Sequence, residues 1–86
     1  MEQNELLDAL YAIRVADLDY AQWCEVGMAL KDAGQPVSVW ADWSSRDGDR
    51  YHPGECEKKW DSFRGSDRPV TAATIYHLAQ SYGWRK

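Results

Sequence analysis

Few residues of this chain are of a type that does chemistry. They are two histidines, two cysteines, the Asp-x-Asp at 47–49, and a set of bases mixed with aromatic rings. His52 and Cys56 stand one helical turn apart, a spacing that a tetrahedral zinc site can use. Cys24 and His77 would have to complete the set. Both are lone residues, without the short Cys-x-x-Cys spacing that makes such a set specific. The pattern therefore reads as two buried thiols and two separate histidines, and no metal site is expected. Asp47 and Asp49 bracket Gly48. Carboxylates so placed can ligate a divalent cation, but Asp beside Gly is also ordinary turn chemistry, and that reading is taken.

Catalytic groupings are missing. The sequence has no Gly-rich phosphate loop, no paired-histidine zinc helix and no Gly-x-Ser-x-Gly elbow, and nothing links its Ser and His residues into a nucleophile-base pair. No catalytic residue and no cofactor are expected, so the chain does not read as an enzyme in its own right.

Bases and rings suggest binding instead. Arg46, Arg50, Lys58, Lys59, Arg64, Arg68, Arg85 and Lys86 all fall in the second half, with Tyr51 among them. Phosphates would be held by Lys58, Lys59, Arg64 and Arg68, assisted by Arg46 and Arg50, with Tyr51 available to stack on a base. A solvated helix face accounts for the same residues without any function. Trp23, Trp40 and Trp60 lie on apolar faces and are expected in the core. Trp43 and Trp84 are left open, Trp84 being either a helix-end plug or exposed.

Charge limits the binding reading. The net charge is -4 and the pI near 5.0, unlike an autonomous high-affinity nucleic-acid binder, in which phosphate neutralisation supplies the affinity. Residues 1–43 carry eight acids against Arg14 and Lys31, while residues 44–86 carry eight bases against six acids. Any polyanion contact is expected in the second half. Two cysteines do not make a disulfide framework and suit a reducing cytosol. With no signal-peptide pattern, and no apolar run near the roughly 20 residues of a membrane span, a cytoplasmic protein without membrane contact is expected.

These residues must be positioned by helices. One 86-residue domain is expected, thin in its core at this length. The first helix covers about 3–14, with Leu6, Leu10 and Ile13 on one face. Asp19 and Gln22 have capping-box spacing, after which Trp23, Val26, Gly27 and Leu30 line a second helix closed by Gly34 and Pro36. A brief third stretch, about 37–45, holds Trp40 and Trp43. The polar turn Asp47-Gly48-Asp49-Arg50 follows. Pro53 suits the first turn of a fourth helix, on which Cys56, Trp60 and Phe63 recur at i, i+4 and i+7. After a loop over 65–69, Thr71 caps a fifth helix whose Ile75, Leu78, Ala79 and Tyr82 share a face up to Gly83. Alternation of the strand type is nearly absent. The fold class is all-α, a compact bundle of about five short helices.

The order of these segments carries a resemblance. Ala9-Leu10 with Ile13, Asp19 to Trp23, Val26 to Leu30, Trp40 to Ser44, Glu55 to Phe63 and Thr71 to Ala79 follow one another as in the second type of primase C-terminal domain. The chain is similar to that family over about residues 6–82. It departs at Arg14-Val15-Ala16-Asp17, where the family often has prolines. Such helical modules lie behind archaeo-eukaryotic-type primase domains in phages, plasmids and integrated elements. The resemblance implies a non-catalytic accessory domain that helps hold single-stranded template DNA, the initiating nucleotide, or both, during primer synthesis. Its expected partners are single-stranded DNA, bound weakly by the domain alone, and the primase catalytic domain or a replicative helicase. The alternatives are a protein-protein adaptor docked through its acidic half, and a free-standing phage or plasmid regulator.

Overall fold

The computed structural model describes residues 2–48, 51–63 and 71–84. It contains α1 (Glu2–Ala12), a 3-10 turn (Val15–Asp17), α2 (Tyr20–Asp32), α3 (Val37–Ser44), α4 (Glu55–Ser62) and α5 (Ala72–Ser81). There is no strand among the described residues, and the fold is all-α. The radius of gyration is 12.0 Å, the value expected of a compact chain of this length. No described helix is long and apolar enough to cross a membrane.

Local chemistry sets the ends of α2. The Asp19 carboxylate accepts from the Gln22 backbone N–H at 2.8 Å, and the Gln22 side-chain oxygen accepts from the Asp19 N–H at 3.1 Å. This reciprocal pair satisfies two donors that an unfinished helix start leaves without partners. At the other end, the N–H of Gly34 reaches the Lys31 carbonyl and that of Gln35 reaches Leu30, a Schellman closure. Thr71 caps α5 through its hydroxyl, which accepts from the Ala73 N–H at 3.3 Å. The expected first-turn place of Pro53 is corrected. Gly54 takes a left-handed conformation at φ 88°, so α4 starts after it and Pro53 lies outside the helix. A side chain is strained at that φ, and the glycine supplies the corner that proline cannot. The loop expected over 65–69 falls outside the described residues.

Helix α2 is the hub, packing against α3, α4 and α5, while α1 packs on α5 and α3 on α4. Leu10, Val26, Leu30, Trp40, Trp43, Cys56 and Ile75 are fully buried side chains drawn from all five helices. The closest approach lies at Gly27. A Cβ there would stand 2.6 Å from Trp40 Cε2 and 2.8 Å from Phe63 Cε2, so only glycine lets the large ring lie against the α2 backbone. Both open tryptophans are resolved. Trp43 is buried and donates from Nε1 to the Ile13 carbonyl at 3.2 Å. Trp84 plugs the end of α5, half-buried against Tyr76, with Nε1 donating to Asp8 on α1 at 2.8 Å.

Candidate nucleic-acid interface

A cleft of about 390 Å³ opens where the N-terminus of α2, the end of α3 and the start of α4 meet. Its deep lining comes from the buried residues Val15, Ser44 and Asp47. Its rim carries Tyr20, Trp23, Tyr51, His52 and Glu55. The capping box matters here, since it fixes the first turn of α2 and with it Tyr20 and Trp23. Trp23 is held on two sides. Its face stacks on Trp40 with centroids 4.3 Å apart, and its Nε1 donates to the Ser44 hydroxyl at 2.8 Å. Tyr20 leans on Trp23 at 5.6 Å yet remains 60% exposed.

Lys59 completes this corner from α4. Its ammonium lies 5.2 Å from the Tyr20 ring centroid. Hydrogen-bonding attraction to Tyr20, aided by the charge environment, raises the Lys59 pKa above the ordinary lysine value. A fixed positive charge therefore stands beside an exposed ring, the pairing that suits a nucleotide's phosphate and base. One turn back, Cys56 is buried, and burial pushes its thiol up against a smaller opposing effect of the Ser44 hydroxyl. It packs in the core while His52 is exposed on the rim. No three His, Cys, Asp or Glu side chains among the described residues converge as a metal site would require.

The structure brings some of the expected contact residues together and not others. Tyr51 lines the cleft, Lys59 borders it through Tyr20, and Lys58 is exposed on the same helix. Arg46 is not part of this lining. Its guanidinium lies 4.5 Å from the ring centroid of Tyr11, whose hydroxyl donates to Asp42 at 2.7 Å. That hydrogen bond is the main cause of a raised Tyr11 pKa, followed by burial. Arg50, Arg64 and Arg68 lie outside the described residues. Tyr20, His52 and Glu55 were not legible as binding residues from spacing. Trp23 was assigned to the core, and it serves both core and cleft. The one available signal was Tyr20, an aromatic just after the cap and off the apolar face of α2.

A second, shallower depression of about 430 Å³ lies between α2 and α5, lined by Gln22, Glu25, Ala73, Thr74, His77 and Leu78. Among the described residues that line it there is no Lys or Arg, and His77 supplies a ring.

Fold and cleft together define a small helical module built around a ring-lined recess, with a lysine at its edge. The chain matches the primase C terminal 2 (PriCT-2) family over residues 6–79 and belongs to it. It is thus a primase-associated C-terminal domain. No curated protein and no solved structure matches the chain.

Proposed function

We propose that this domain is a non-catalytic accessory module that holds single-stranded template DNA, with or without the initiating nucleotide, for primer synthesis by a neighbouring catalytic domain. The observation that carries this reading is Lys59 set against the exposed Tyr20 at the mouth of a cleft lined by Trp23 and Tyr51. Base-on-ring stacking is worth roughly 1–3 kcal/mol per base and tolerates any sequence. Even an acidic domain can thus bind single strands locally, with lysines supplying the phosphate contacts. Lys58 and Lys59 are the cations offered by α4, and Arg64 and Arg68 follow them in sequence.

The test is a fluorescence-anisotropy titration of labelled single-stranded DNA at low and at physiological ionic strength. Saturable, salt-sensitive binding is expected. Lys58→Ala with Lys59→Ala should weaken it and flatten the log-log salt slope by about 1.4, two phosphate contacts on a single strand. Unchanged affinity and slope in the double variant would remove these lysines from the site.

A second reading rests on the acidic surface. Asp17, Asp19, Glu25, Asp32 and Asp42 are all exposed, and these carboxylates would suit an adaptor docked on a basic primase catalytic or helicase domain. It predicts no DNA binding even at low salt, together with salt-sensitive binding to such a domain.

A further inference from the structure

The cleft carries two opposite charges in different places, and one ligand accounts for both. Lys59 stands beside the recess on Tyr20, whereas the described residues lining the recess include no Lys or Arg and two carboxylates, Asp47 and Glu55. A phosphate inside would meet the exposed Glu55 carboxylate, so this part of the recess disfavours the backbone of a nucleic acid. A flat, uncharged ring system suits it. Tyr20, Trp23 and Tyr51 offer ring faces or edges, and the volume is at the lower end of the roughly 300–1,000 Å³ usual for a small-molecule site. Duplex DNA does not fit such a space, but a single splayed base does.

The polar group on the rim then selects among bases. An ionised carboxylate only accepts hydrogen bonds. The Glu55 side chain is exposed at the start of α4, one turn from Lys59, whose proton its charge helps to hold, and it makes no hydrogen bond with a described residue. It is therefore available to an incoming donor. Among pyrimidines, cytosine presents an exocyclic amino donor, while thymine presents a carbonyl oxygen at the same place.

We infer that this cleft is a base-reading subsite, in which one unpaired, amino-bearing base stacks on the Tyr20–Trp23 pair with its amino edge toward Glu55 and its phosphate toward Lys59. This rests on the template-holding reading above and adds to it a preference that phosphate contacts alone cannot produce.

The experiment compares labelled dC and dT oligonucleotides of equal length in the same anisotropy titration, with the unmodified domain, Glu55→Gln and Tyr20→Ala. Equal length keeps the phosphate count constant, and two pyrimidines keep ring size constant. We expect dC to bind about three- to tenfold tighter than dT, the effect of one well-placed hydrogen bond. Glu55→Gln should cut that ratio to near one while leaving dT binding unchanged or improved, since an amide can also donate. Tyr20→Ala should weaken both oligonucleotides by about fivefold or more, with the helical circular-dichroism signal retained because Tyr20 is largely exposed. Equal binding of dC and dT, or a ratio that Glu55→Gln does not move, overturns the base-reading subsite while template holding stands. Absence of binding by both oligonucleotides at low salt overturns the two together.

Discussion

Glycine within a helix ordinarily costs stability relative to alanine, by about 1 kcal/mol, so replacing it should help. At Gly27 the sign reverses. An added methyl would lie 2.6 and 2.7 Å from two carbons of Trp40 and 2.8 Å from Phe63, well inside the 3.5–4.0 Å at which carbon atoms rest against each other. Trp40 has no room to retreat, being fully buried and stacked on Trp23. Gly27→Ala is therefore expected to destabilise by about 1–3 kcal/mol, the usual range for overpacking. A urea melt would read this as a lower midpoint at constant m-value, and a gain in stability would show that the contact is loose. The same packing governs the cleft, because Trp40 is the wall against which Trp23 stands.

Short helices need their ends secured, since an isolated segment of this length is marginal in water. In α2 the capping box does so. Removing its carboxylate with Asp19→Ala should cost about 1 kcal/mol, within a range of 0.5–2, measurable as a lower thermal midpoint. Asp19→Asn should recover most of the loss, because the amide oxygen still accepts from the Gln22 N–H. In α4 the C-terminus is secured from another helix. The Lys31 ammonium donates to the carbonyls of Trp60 at 2.8 Å and Phe63 at 2.9 Å, and lies 5.8 Å from the Trp60 ring centroid. A cation at that end also complements the helix dipole. Lys31 thus has a structural role, and it holds the helix that presents Lys58 and Lys59.

At the scale of the molecule, four titratable groups among the described residues are displaced in the same direction. Cys56 is raised mainly by burial, Tyr11 by its hydrogen bond to Asp42, Lys59 by hydrogen-bonding attraction to Tyr20, and Tyr82 mainly by burial beside Asp17. Each group holds its proton more tightly in the folded chain than in the unfolded one. Their contribution to stability is complete below the unfolded pKa values and is lost as pH rises through the folded ones. The thermal midpoint should therefore be level near neutrality and fall from about pH 9 upward, where free thiols and then tyrosines ionise. Tyr11→Phe should make that fall less steep. A midpoint level to about pH 11 would show that these protons are not coupled to folding.

The sequence by itself determined the helices. Caps at Asp19 and Thr71, the Gly34 and Gly83 closures, and the apolar spacing along α2 and α5 are interactions between residues a turn apart, so they are legible in order along the chain. The family is legible for the same reason, as the segments that carry it are those helices in order. Half of the site was not legible. Trp23 and Trp40 have the same apolar placement in sequence, yet one ends fully buried and the other on the rim of a cleft, because burial depends on which helix arrives opposite. Lys59 on Tyr20 and Arg46, just past the end of α3, on Tyr11 are likewise pairs between segments far apart in sequence. Charge composition placed both bases in one candidate set, and only the packing of α2 on α4 gave Lys59 to the cleft while Arg46 went to Tyr11 of α1. Local hydrogen bonds are written into neighbouring residues. Partnerships between distant side chains are decided by the packing of one helix on another.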